Sequence, residues 1–160
     1  MTKFKTRQGL IIGDLRQYVK EWLSSRDNTQ IWVGCDSQSH GKTIAYATTV
    51  CLYEQGKGAH VISQKIHVPN KSKSRGKKSL EDGSNNNRLW EEIEYAVLVA
   101  DELKDLGAKI TIHADYNSKV EEVSNQLFDA GIGFALAKGY EAVGKPWAFA
   151  ATYAADKEVR

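Results

Sequence analysis

A chain of 160 residues with 41% hydrophobic and 26% charged positions has the composition of one ordinary globular domain, large enough to bury a core without disulfide or metal staples. Lysine and arginine number 22 against 20 aspartates and glutamates, and a net charge of +2 is too small to announce a nucleic-acid partner by itself, so the placement of the charge has to decide. No apolar run approaches the roughly 20 residues of a membrane span and no signal-type stretch opens the chain, which predicts a cytoplasmic protein with no membrane partner. Cys35 and Cys51 fall inside strand-like runs and, in a reducing compartment, read as small buried hydrophobes.

Ile11, Leu15, Tyr18, Val19, Trp22 and Leu23 recur at helical spacing until a polar break at 24–28, which predicts an amphipathic helix in an N-terminal extension over 1–29. Residues 31–35 form a short apolar run, a buried central strand that ends at Asp36 and a polar loop over 36–41. Residues 43–53 and 60–68, with turn formers at 55–58 between them, predict an antiparallel hairpin. From 70 to 87 apolar residues nearly vanish while Lys71, Lys73, Arg75, Lys77 and Lys78 crowd the first half, the pattern of a long, mobile, basic loop. Apolar residues at 89, 93, 96, 97, 100 and 103 mark a helix closed by Gly107, and a strand over 109–114 ends at Asp115. Val120, Val123, Leu127 and Phe128 suggest a further helix ending near Gly131, followed by a short strand at about 133–137. The last helix runs from Trp147 to about Val159 behind Pro146, with Phe149, Tyr153 and Asp156 expected to face inward. A hairpin-rich start followed by alternating helices and strands predicts an α/β class: one domain over 1–160, a mixed sheet and helices on both faces.

Four acids occupy positions unlike ordinary solvated charge. Asp36 and Asp115 each end a strand that should be central, and side chains at the carboxyl ends of adjacent strands in an open α/β sheet share a crevice. Glu92 lies on the edge of its helix's buried stripe, whereas Glu91 and Glu94 fall toward polar positions; Asp156 lies one turn beyond Tyr153. Any one such acid is more commonly a turn former, a cap or a solvated charge, but crowded carboxylates raise one another's pKa values, and a divalent cation removes that cost. Hard oxygen donors suit Mg²⁺ or Mn²⁺ better than zinc, and a pair of such ions is suited to water activation and leaving-group stabilisation at a phosphodiester.

The segment 33–38 around Asp36, the helix entry Arg88 to Glu92, the strand end 112–115 and the tail from Lys145 and Pro146 to Asp156 and Lys157 together resemble the ribonuclease H-like family typified by the bacterial protein YkuK. The resemblance spans nearly the whole chain, and its helix entry leaves Glu91 as the alternative to Glu92. It implies a five-stranded mixed sheet in the order 3-2-1-4-5 and a two-metal carboxylate site at Asp36, Glu92, Asp115 and Asp156, with products carrying 3′-hydroxyl and 5′-phosphate ends. Ser37 and Gln38 after the first acid, and the long basic stretch before Glu92, depart from better-known ribonucleases H, so specificity for an RNA–DNA hybrid does not carry over.

The expected function is a divalent-metal-dependent nuclease using two Mg²⁺ or Mn²⁺ ions on RNA, DNA or a hybrid. The competing expectation is a nucleic-acid-binding module that keeps the fold without turnover. An actin-like ATP-binding domain is set aside because it needs two such domains around its nucleotide. Lys73 and Arg75 in the basic loop, with Gln38, Arg88, Lys145 and Lys157 beside the acids, are the candidate contacts to nucleic acid. His113 reads as a structural histidine, and Trp22, Trp32, Trp90 and Trp147 as core or core edge. Neither a glycine-rich phosphate loop nor a Cys/His zinc spacing is present.

Overall fold

The computed structural model describes residues 2–71, 83–115, 122–145 and 147–160. Lys73 and Arg75, with most of the basic stretch, lie outside the described residues, as do Val120 and Pro146. The elements in chain order are β1 (Lys5–Thr6), α1 (Leu15–Ser24), β2 (Thr29–His40), β3 (Thr43–Glu54), β4 (Gly58–Pro69), α2 (Gly83–Leu103), β5 (Lys109–His113), α3 (Glu122–Ala137) and β6 (Glu141–Val143). A π-helical segment, Ala150–Ala155, then runs into α4, Asp156–Val159. No helix among the described residues is long and apolar enough to cross a membrane.

The strands form one mixed sheet in the order β1-β4-β3-β2-β5-β6. Without β1 this is the expected 3-2-1-4-5 order; the sixth strand is a two-residue edge, Lys5 and Thr6 pairing with Ser63 and Ile62. Strands β2, β3 and β4 are antiparallel, whereas β5 and β6 run parallel to β2 and therefore need helical crossovers.

Register assigns the two faces. Ile31, Val33 and Cys35 share a face with Leu52, Val50, Ile62, Ile110 and Ile112, all fully or nearly fully buried, and this face forms the main core under α1, α2 and α3. Trp32 and Cys51 point the other way, toward the C-terminal helix and its Ala150 and Ala154. Cys35 and Cys51 are thus buried, unbridged and on opposite faces of the sheet.

Several boundaries differ from the sequence expectation. The first helix begins at Leu15, not Ile11, because Asp14 caps it, its carboxylate accepting from the Gln17 N–H at 2.9 Å; Ile11 instead bridges Lys5 and is exposed. Strand β2 does not stop at Asp36 but continues to His40, because β3 pairs with it along its whole length; the turn is only Gly41 and Lys42, with Gly41 at φ +66°. Helix α2 starts by Gly83, so residues 83–87, expected as loop, are helical. The strand expected at 133–137 is the end of α3. Buried Gly131 and Ala135 lie one turn apart there, and the helix stops at Gly139 (φ +90°), so the strand comes later, at Glu141–Val143.

The C-terminal helix turns a different face inward than expected. Phe149 and Tyr153 are 41% and 62% exposed, and Trp147, expected in or near the core, is 76% exposed. The side chains facing the sheet are Ala150, Ala154, Ala155 and Val159, because small residues allow close approach to Trp32 and Cys51, and π-type winding rotates the face relative to an α-helix.

Replacing Leu52 with alanine, at the centre of the main core, should cost about 3 kcal/mol in urea denaturation, whereas Leu98→Ala on the exposed side of α2 should stay within about 0.5 kcal/mol. Equal effects at the two positions would contradict the assignment of faces.

Candidate active site

The parallel ladder between β2 and β5 ends at the pair Gly34 and His113. Asp36 lies two residues beyond Gly34 and Asp115 two beyond His113, so the alternation of side chains turns both carboxylates to the same side at the open end of the ladder. That side is the one covered by the C-terminal helix. Asp36, Asp115 and Asp156 line one cavity of about 480 Å³, together with Ser37, Gln38 and Arg160.

The placement of Asp156 depends on how its helix is held. The Ala150 N–H donates to His113 Nδ1 at 3.1 Å, and the Thr49 hydroxyl donates to the Ala150 carbonyl at 2.8 Å, so two sheet residues grip one backbone unit at the start of the π-helical segment. At the far end, His40 Nε2 donates to the Val159 carbonyl at 3.1 Å. His113 stacks on Trp32 and is buried, which pushes its pKa down to about 4; it is neutral and structural at pH 7, as expected from the sequence.

Glu92 reaches the site from the opposite face. It is only 5% exposed, accepts a hydrogen bond of 2.5 Å from the Ser37 hydroxyl, and borders a small void with Cys35 and Asp115. Glu91 turns elsewhere, accepting from the Tyr46 hydroxyl, so Glu92 is the member of the pair brought toward Asp36 and Asp115. Arg88, one turn earlier, donates through Nε to the Ser37 hydroxyl at 3.0 Å and through Nη2 to the Ser37 carbonyl at 2.7 Å. Ser37 therefore links Arg88 to Glu92, a role that sequence reasoning missed. The signal was available in strand alternation: if Asp36 faces the cavity, Ser37 must face α2.

The crowding is visible in the electrostatics. Burial, followed by the charge of Asp115, pushes Asp36 up to about 6, with Asp156 adding to the effect and the Ser37 N–H opposing it. Burial pushes Glu92 up to about 8 against the opposing Ser37 hydrogen bond, with Asp36 and Asp115 adding further. Two cations sit against the remaining acids. Lys145 Nζ is 2.8 Å from Asp115, and Arg160 holds Asp156 through Nη2 at 2.9 Å and Nε at 3.2 Å. Arg160 had not been singled out from the sequence. Gln38 and Lys157 are exposed, Gln38 on the cavity wall and Lys157 on α4.

The donor chemistry suits a hard divalent cation: all four acids offer carboxylate oxygens, and the raised proton affinity of Asp36 and Glu92 is a cost such a cation would relieve. Among the described residues, however, no three acidic, imidazole or thiol donors converge closely enough as they stand to hold an ion. Asp115 and Asp156 are instead turned to Lys145 and Arg160.

A mixed sheet with this strand order and acids gathered at the end of its parallel pair defines the ribonuclease H-like class of proteins. The model of the family described as Ribonuclease H-like matches residues 11–160, and the chain belongs to that family. Among solved structures it is similar to one described as the crystal structure of LC11-RNase H1 in complex with RNA/DNA hybrid, at 15% identity and a TM-score of 0.31, over 81% of this chain and 91% of that one. No curated protein matches the chain.

The raised carboxyls give stability a definite pH dependence. The unfolded chain releases the Glu92 proton near pH 4.5, whereas the folded protein keeps it to about pH 8, so this contribution to stability is complete below pH 4.5 and lost as pH rises through 8. Asp36 acts in the same direction between 3.8 and about 6. Urea denaturation in EDTA should show stability falling from pH 5 to pH 8, and Glu92→Gln should reduce that fall by on the order of a few kcal/mol. An identical pH profile in the variant would show that Glu92 is not the titrating group.

Proposed function

We propose that this protein is a divalent-metal-dependent nuclease that hydrolyses phosphodiester bonds of nucleic acid with Asp36, Glu92, Asp115 and Asp156 as its carboxylate set. The observation that carries this reading is the convergence of acids from three distant segments, 36, 115 and 156, on one cavity, with Glu92 adjoining it, in a chain of the ribonuclease H-like family. Mg²⁺ or Mn²⁺, as a pair of ions held by these carboxylates, would supply an activated water and charge stabilisation at the departing oxygen.

The chain's own residues have separable tasks in this reading. Asp36 feels the charges of Asp115 and Asp156 and acts in turn on Glu92, so its charge state governs the site's affinity for a cation. Ser37, fixed by Arg88, presents a hydroxyl to Glu92 and keeps that carboxylate beside the cavity. Gln38 on the cavity wall, with Lys145 and Lys157 nearby in the chain's last segment, offers donors for phosphate or sugar oxygens. Hydrolysis adds water across the bond between phosphorus and the 3′ oxygen: the water oxygen joins phosphorus, and the 3′ oxygen leaves with a proton. The substrate is nucleic acid and the proposed setting is the cytoplasm.

The alternative, a binding module without turnover, is favoured by one observation: Lys145 and Arg160 already neutralise two of the acids. Cleavage of end-labelled single-stranded, duplex, hybrid and branched nucleic acids in Mn²⁺, Mg²⁺ or EDTA separates the two. The nuclease reading expects metal-dependent cleavage that falls by at least about 100-fold in Asp36→Asn. Salt-sensitive binding that persists in EDTA, with no cleavage of any substrate, would establish the binding module instead.

A further inference from the structure

The Lys145 ammonium is more than a charge near the site. Its nitrogen lies 2.8 Å from Asp115 Oδ1, and Asp36 and Asp156 also act on it, so one monovalent cation feels the three carboxylates that line the cavity. The side chain is 39% exposed and its partner 21%, so the pair is neither locked in the interior nor fully dispersed in solvent. Arg160 is a weaker counterpart, 74% exposed and paired with Asp156 within a single helical turn. Lys145 is also placed by backbone that the site does not control: it follows β6, whose Val143 carbonyl accepts from the Ala114 N–H, so the segment bearing Lys145 is tied to the residue before Asp115.

We propose that Lys145 is a built-in competitor of the divalent cation for Asp115, so that a metal enters the site by displacing the ammonium rather than by filling free ligands. The inference rests on the metal-dependent reading of the same site. It explains why the acids gather on one cavity while, among the described residues, no three donors lie close enough to hold an ion: the oxygens a metal would share are turned to protein cations. It also gives Lys145 a second task, because a displaced ammonium at the cavity rim keeps its charge and pairs with the phosphate that the proposed substrate brings. Metal and substrate would then favour each other, the first releasing the cation that the second engages.

Free Mn²⁺ in titrations without nucleic acid, read by electron paramagnetic resonance, tests the competition. Lys145→Met should bind Mn²⁺ about fivefold more tightly than the unaltered protein, the factor expected from releasing one partly exposed ion pair. Lys145→Arg should restore the weaker affinity, and Lys20→Met, an exposed charge on α1, should change it little. A general loss of structure would weaken binding, so tighter binding is a readout that a merely structural role cannot produce. Unchanged or weaker Mn²⁺ affinity in Lys145→Met, against measurable binding by the unaltered protein, overturns the competition alone. Absence of Mn²⁺ binding in both the unaltered protein and Lys145→Met overturns the metal-dependent reading and the competition with it.

Discussion

The arrangement of this molecule depends on a mismatch in strand pairing. Strand β2 is supported by β3 over its full twelve residues, but β5 accompanies it only as far as the pair Gly34 and His113. Past that point β2 continues paired with β3 alone, and the β2–β5 ladder is open. Asp36 and Asp115 are the side chains that face the gap. Because β5 is parallel to β2, the chain must return through a helix, and α2 packs over the same two strands, so Glu92 arrives from the opposite face of the same opening. The convergence of acids thus follows from strand order and strand length before any contact among the acids is considered.

The second constraint is closeness of packing on the side of the C-terminal helix. The residues facing the sheet there are alanines and one valine, which let the helix backbone approach until His113 and Thr49 bond it directly. A buried imidazole can accept from a backbone N–H only while its acceptor nitrogen is unprotonated, and burial ensures that at neutral pH. His113 thereby fixes the start of the C-terminal helical run that carries Asp156. Its contribution to the site is placement, which is why it lies beside the acids without joining them.

These particulars explain what was legible in the sequence. The order of the five main strands, the hairpin and the four acids could be read because each rests on a local pattern: turn residues at 55–58, apolar runs, an acid just past a run. Boundaries set by distant pairing could not. Nothing local to residues 36–40 shows that β3 will hold them extended, and nothing in the run from Gly131 to Ala137 separates a buried strand from a glycine-tolerant helix end, since both are short and apolar. The C-terminal helix misled for a related reason. Large aromatics were expected inside, whereas the small residues are inside because the backbone itself is the packing surface. Arg160 and Ser37 were missed because their roles depend on partners: an ion pair at the cavity and a serine between an arginine and a glutamate have no sequence signature of their own.

Gathering carboxylates in a partly buried opening costs free energy, and the protein meets that cost in two ways at once. Glu92 and Asp36, the more enclosed pair, are shifted toward their protonated forms, while Asp115 and Asp156, nearer the rim, are matched with Lys145 and Arg160. The division follows access. A long cationic side chain reaches the rim without burying its charge, but no such chain reaches the interior without paying its own desolvation. A divalent cation bound there would replace both solutions, since it favours ionised Glu92 and Asp36 and takes the place of the ammonium on Asp115. Cation binding would therefore release protons and free a lysine in a single exchange.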